Sequence, residues 1–160
     1  MTEPSRAGNT LPSLTLDQIE AIAREGHAHQ KDAGGHPYLE HVRAVVDGVK
    51  KRGGSDDQIA AAWLHDTIED DVLSHEWLDS ARLPQDVEDL VDAMTKRPGE
   101  GDESYRQRIL ATPGARLIKE TDLAHNSDPD RLALLGEPTR SQLGEKYARM
   151  RRLISLQEPC

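Results

Sequence analysis

From Ile59 onward the chain keeps helical spacing of its apolar residues and then runs directly into ionisable ones: Ile59-Ala60-Ala61-Ala62-Trp63-Leu64-His65-Asp66-Thr67-Ile68-Glu69-Asp70. Ser55 followed by Gln58 is a capping-box pattern, so a helix begins there. Ile59, Ala62, Trp63 and Asp66 share one face of it, which puts a carboxylate on a face that should be buried. A buried carboxylate needs a partner, and a metal ion is a good one. His65 is its neighbour, about 100° round the helix. Glu69 and Asp70 follow three and four residues after Asp66 and point to the same region.

The remaining periodicity is helical as well. Thr15 with Gln18 is another capping box, and Ile19, Ile22 and Ala23 give a first helix over roughly 15–30. Tyr38, Val42, Val45, Val46 and Val49 form the inner face of a second, over about 37–51, and His41 shares that face. Ser74 caps a short helix holding Trp77 and Leu78, and Pro84 opens one with the stripe Val87, Leu90, Val91 and Met94. Residues 96–102 read as a mobile hydrophilic loop, followed by a short helix over roughly 103–111. Thr112-Pro113 reads as an N-cap and first helical position for a stretch carrying Leu117, Ile118, Thr121, Asp122 and His125. Ser127-Asp128-Pro129 breaks that helix, residues 131–135 allow one or two turns, and Thr139 with Gln142 opens a last long helix. No segment shows sustained strand alternation. The expected fold is all-α, about eight helices, with a disordered lead-in over 1–13 and a single domain over 14–156.

Composition narrows the function. The net charge of −9 argues against a nucleic-acid or anionic-membrane partner, and an anionic substrate would need a metal and local bases to overcome it. No apolar run is long enough to span a bilayer. The lone Cys160 allows no internal disulfide and no thiolate zinc site, so a reducing, cytoplasmic setting is expected.

His41, His65, Asp66 and Asp122 thus stand on three inward-facing helices. Singly each has a plain alternative: His41 as a core histidine, Asp122 as a partner for Lys119 or His125. Together, imidazoles and carboxylates suit Mn²⁺, Fe²⁺, Zn²⁺ or a similar ion, with open positions for water and a phosphoryl oxygen. The order H…HD…D is that of the HD phosphohydrolase superfamily. Within it, residues 17–132 resemble the hydrolase domain of RelA/SpoT-type enzymes and its stand-alone relatives. Gly35 to His41 resembles that family's G-x-P-Y-x-x-H, and Ala61 to Asp70 its A-A-x-L-H-D-x-x-E-D. Met94-Thr95-Lys96 is similar to its V-T-K, and Lys119 to Asn126 to its K-x-A-D-x-x-H-N.

The resemblance implies an HD-domain helical bundle that removes the 3′-pyrophosphate of guanosine tetra- or pentaphosphate with Mn²⁺. His41, His65, Asp66 and Asp122 would hold the metal, and Glu69 and Asp70 would manage the attacking water. Asn126 would contact the nucleotide, with Lys96, Lys119 and Lys31 as supporting bases. Asp32 stands where the family has a base-stacking Arg, Val42 where it has Pro, and Leu123 where it has Arg. Lys31, the base nearest the first of these, is not planar and cannot stack as a guanidinium does. Two other readings remain: a nucleoside monophosphatase of the wider superfamily, and a helical module that binds a nucleotide without cleaving it. A di-iron oxygenase needs two further His between His65 and Asp122, where only His75 lies. His27, His29, His36 and His75 read as solvated or loop residues.

Overall fold

The computed structural model describes residues 12–155. Of the expected lead-in, residues 1–11 lie outside that range, as does residue 156 at the other end. Among the described residues the regular structure is helical, with one isolated antiparallel bridge between Lys31 and Pro37. None of the helices there is long and apolar enough to cross a membrane.

Helix α1, Leu16–Gly26, starts at the expected capping box: Thr15 accepts from the Gln18 N–H while the Gln18 side chain accepts from the Thr15 N–H. Such caps stabilise a helix by about 1 kcal/mol. It ends at Gly26 rather than near 30. Helix α2, Tyr38–Lys51, buries His41, Val42, Val45, Val46 and Val49, the face that the periodicity gives. Helix α3, Asp56–Leu64, has the Ser55–Gln58 box, and Ile59 through Leu64 are all buried. It lies at the centre, against α1, α2, a later helix α5 (Gln85–Met94) and a later helix α7 (Ala115–Asn126). Burial on every side explains why its apolar run is nearly continuous; each large side chain there contributes about 1.5–3 kcal/mol.

Helix α3 stops sooner than its pattern predicts. The Leu64 carbonyl accepts from both the Thr67 N–H, at 3.0 Å, and the Thr67 hydroxyl, at 2.8 Å. His65 Nδ1 takes the Ala62 carbonyl at 2.7 Å. With its last carbonyls claimed by local donors, the chain leaves the helix in successive turns up to Asp71, whose φ is +59°. His65, Asp66, Glu69 and Asp70 are therefore on a turn at the C-terminus of α3, not on its face.

The short α4, His75–Ser80, is capped by Ser74, and α5 follows Pro84, which stands just before its first residue. Helix α6, Asp102–Ala111, precedes α7. Thr112 does not cap α7 as expected. Its hydroxyl donates back to the Arg108 carbonyl at 2.9 Å, closing α6, and Gly114 at φ +90° begins α7 instead. A one-turn α8, Pro129–Leu132, and the long α9, Thr139–Ser155, complete the described chain. Nine helices thus stand among the described residues, where about eight are expected.

Helices α2, α3 and α7 pack against one another, and this triangle positions the site. Gly48 makes the α2–α7 approach possible: a Cβ there would lie 2.5 Å from Thr121 Cγ2.

Candidate metal centre and the adjoining cavities

The triangle brings His41 from α2, Asp122 from α7, and His65 and Asp66 from the turn after α3 into one cluster. One ligand atom from each lies within 4.8 Å of all the others. His41 Nε2 is 2.9 Å from Asp122 Oδ1 and 3.9 Å from Asp66 Oδ2. His65 Nε2 is 3.0 Å from Asp66 Oδ2 and 3.3 Å from Asp122 Oδ1. Both imidazoles are buried, and so is Asp122.

The donor set asks for a cation. His65 Nδ1 donates to the Ala62 carbonyl, so in the neutral ring the lone pair sits on Nε2 and faces two carboxylates. Although buried, that Nε2 is aligned for a hydrogen bond with neither. Lone pair against carboxylate is repulsive unless a proton or metal stands between them. Without a metal the proton is retained: burial opposes the imidazolium, but the Asp66 charge and the two carboxylate contacts raise its pKa well above the ordinary value. Asp66 is correspondingly held at about 2, its burial outweighed by His65. Asp122 is held well below the usual range, burial again losing, here to the Lys119 charge first. A buried His₂Asp₂ set with this imbalance fits a divalent metal ion.

Further contacts orient the set. His41 Nδ1 faces His125 Nδ1 at 2.7 Å. The Tyr38 hydroxyl donates to Asp66 Oδ2. Lys119 Nζ donates to Asp122 Oδ2 at 3.1 Å and lies 5.2 Å from the centre of the Tyr105 ring. Asn126 Nδ2 donates to Asp122 Oδ1 at 3.2 Å.

A cavity of about 210 Å³ opens over Asp66 and Asp122 and is lined also by Glu69, Asp70, Lys96 and Lys119. Burial pushes the carboxyls of Glu69 and Asp70 above their usual values, against hydrogen bonds from the Lys96 backbone N–H and the Gln30 amide respectively. A second cavity of about 430 Å³ is lined by Lys31, Asp32 and Arg131 and by Leu132, Leu135 and Leu143. Tyr38, Asp70, Asn126 and Tyr147 line both, so the two cavities adjoin.

Each residue singled out from the sequence thus lines this pair of cavities or the cluster beneath. Lys96 is held by an ion pair, its Nζ 2.7 Å from Asp102 Oδ1. Lys31 is exposed and reaches only the larger cavity. His29, His36 and His75 are exposed as expected, whereas His27 is buried at 1% exposure. The sequence reading does not place Tyr147 or Arg131 at the site, and it gives His125 only as a partner for Asp122. His125 lies three residues after Asp122, a spacing that sets the two side by side on a helix. Arg131 could not be found from spacing, because its Asp32 partner, 3.3 Å away, is 99 residues distant.

Residues 20–108 match the HD domain family. The chain belongs to that family. A guanosine-3′,5′-bis(diphosphate) 3′-pyrophosphohydrolase of Aquifex aeolicus is 36% identical over 119 residues, 69% of this chain and 17% of that protein. Its counterpart in Haemophilus influenzae is 34% identical over 116 residues, 66% of this chain and 17% of that protein. The chain therefore spans less than a fifth of the length of these curated relatives. A solved structure of a metazoan ortholog of SpoT, which hydrolyzes ppGpp and plays a role in starvation responses, superposes with a TM-score of 0.71. That match has 22% identity and covers 91% of this chain and 88% of the other. The HD domain here is thus an all-α bundle whose His/Asp cluster could hold a metal ion.

Proposed function

We propose that this HD domain, over residues 14–156, is a Mn²⁺-dependent pyrophosphohydrolase that removes a 3′-pyrophosphate from a guanosine polyphosphate. The observation that carries the reading is that the two cavities lie side by side, sharing Tyr38, Asp70, Asn126 and Tyr147. One has the His/Asp cluster at its floor, and the other offers an apolar wall with two bases. A nucleotide has that polarity: a charged phosphate end and a flat base. The named activity of the relatives supports the choice of substrate.

His41, His65, Asp66 and Asp122 would hold the ion. When bound, a divalent ion supplies Lewis acidity and makes water a stronger acid. Glu69, oriented by the Lys96 N–H at 2.9 Å, takes a proton from the attacking water. Asp70, held by Gln30 at 3.0 Å, accepts the other hydrogen bond of that water and so fixes its direction of attack. The water oxygen bonds to phosphorus as the bond to the 3′-oxygen breaks. The proton taken by Glu69 balances the one that the departing 3′-hydroxyl acquires. Lys119 and Lys96 offset charge at the pyrophosphate, and Asn126 and Lys31 contact the nucleotide.

The test is product analysis with the chelator-stripped, Mn²⁺-reloaded chain. Its substrates are guanosine tetraphosphate, its adenosine counterpart, and nucleoside mono- and triphosphates. Pyrophosphate release from the guanosine compound, absent in Asp66→Ala, is the expected result. Cleavage of monophosphates alone would make it a nucleoside monophosphatase. Metal and nucleotide binding with no turnover would make it a binding module.

A further inference from the structure

Gln30 sits where three segments meet. Its backbone carbonyl accepts from the Tyr38 N–H at 2.8 Å, and its backbone N–H donates to the His27 carbonyl at 3.1 Å. It is pinned between the end of α1 and the start of α2. Its side-chain oxygen lies 2.6 Å from His27 Nδ1, while its nitrogen donates to Asp70 Oδ2 at 3.0 Å, 40 residues away.

An amide has a direction. Its NH₂ only donates and its carbonyl only accepts. A carboxylate at one end therefore requires the NH₂ there, and the carbonyl at the other end requires a proton on His27 Nδ1. His27 is held for this role. Its ring is buried against Tyr38 with centroids 5.2 Å apart. Its Nε2 is also buried and has no hydrogen-bond partner among the described residues. A buried polar atom left unpaired is unfavourable, and in native proteins it calls for an explanation. A phenylalanine would fill the same space without that orphan nitrogen, but it could not donate to Gln30.

We infer that His27 and Gln30 are positioning residues: His27 locks the direction of the Gln30 amide, and the amide holds the Asp70 carboxylate at the junction of the two cavities. The inference rests on the proposed role of Asp70. If the lock is lost, the amide can turn over and present its oxygen to the carboxylate, which repels it. Asp70 then leaves the orientation that directs the water. Neither residue touches the His/Asp cluster, so metal binding is untouched.

The test is a double-mutant cycle on the full, metal-loaded chain, with kcat, KM, Mn²⁺ affinity and the Gln30 side-chain amide signal in ¹⁵N NMR. Gln30→Leu is expected to lower kcat about 10–100-fold, with KM within about twofold and Mn²⁺ affinity unchanged. His27→Leu should fall to a similar level and shift the Gln30 amide signal. His27→Asn, whose Nδ2 can stand in for the Nδ1 donor, should recover most of the rate. The double variant His27→Leu/Gln30→Leu should be no slower than Gln30→Leu alone, because His27 acts only through Gln30. Additive losses, or equal kcat in all forms, would overturn the positioning role and leave the hydrolase reading standing. A wild-type chain inert on every nucleotide would overturn that reading, and the positioning role with it.

Discussion

His41 and His125, 84 residues apart, face each other Nδ1 to Nδ1 at 2.7 Å with their rings stacked. Only one of the two nitrogens can carry the proton. His41 Nε2 points at the carboxylates, so a His41 that ligates a metal through Nε2 must donate from Nδ1. His125 is then the acceptor and must stay neutral. Burial first, and the neighbouring His41 next, depress its pKa to about 4, which keeps it so at neutral pH. His125→Phe should therefore weaken Mn²⁺ binding about 10–100-fold without unfolding the chain. Competition with a chelator of known affinity would measure it, and an unchanged affinity would remove His125 from the metal centre.

Gly48 is a point of close approach of α2 to α7 and lies two turns beyond His41. An alanine there would drive its Cβ to 2.5 Å from Thr121 Cγ2, and Thr121 is fixed by the Arg52 hydrogen bond at 2.6 Å. Gly48→Ala should cost about 1–3 kcal/mol in chemical denaturation. It should also lower metal affinity, because the same two helices carry His41 and Asp122. A stable variant with normal metal binding would show that α2 and α7 can separate without disturbing the cluster.

Much of this arrangement is legible in the sequence, because local rules govern it. The Thr15–Gln18 and Ser55–Gln58 boxes predict both helix starts. The valine stripe of α2 predicts that His41 points inward. What fails is where a local pattern has two solutions. Thr112 can cap the helix after it or close the one before it, and its hydroxyl does the latter. Thr67 and His65 end α3 by taking carbonyls that a continuing helix would use, and nothing in the apolar spacing announces that. His27 reads as solvated because its burial against Tyr38 depends on how α1 meets α2.

Glu69 is poised by opposing effects. Burial raises its pKa, and the Lys96 N–H holds it back. A carboxylate must be ionised to take a proton, so the rate should fall as pH falls through a limb lying above the usual glutamate value of about 4.3. Glu69→Gln should lose about 100-fold or more in kcat while binding Mn²⁺ normally. Turnover near the wild-type rate would assign the proton transfer elsewhere.

The loop expected to be mobile is strapped to α6. Glu100 Oε1 accepts from Arg108 Nη2 at 2.9 Å, and Arg108 also donates to the Thr95 carbonyl at 2.8 Å. The Arg108 hydrogen bonds hold the Glu100 carboxyl at about 2, well below its ordinary value of 4.5. A depressed carboxyl stabilises the fold fully above its unfolded pKa, and that contribution is lost as pH falls through the folded one. Glu100→Gln should therefore lower stability by about 1–2 kcal/mol at pH 7. The gap to wild type should narrow between pH 4.5 and about 2. A gap constant with pH would mean that the strap acts through shape rather than charge.

Arg131, on α8, lines the larger cavity together with Leu132, Leu135 and Leu143. Asp32 anchors it at 3.3 Å and is itself fixed by the backbone N–H groups of Gly34 and His36, each at 2.9 Å. A planar cation in a cavity that leucines also line suits the face of a nucleobase, whereas the exposed Lys31 offers only a point charge. Arg131→Leu should raise KM about tenfold for guanosine tetraphosphate and leave kcat nearly unchanged, the signature of lost uniform binding. Asp32→Asn should give a smaller change in the same direction, because the guanidinium stays but loses its anchor. A fall in kcat with KM intact would instead tie Arg131 to the reacting phosphate, and the larger cavity would then have no claim on the base.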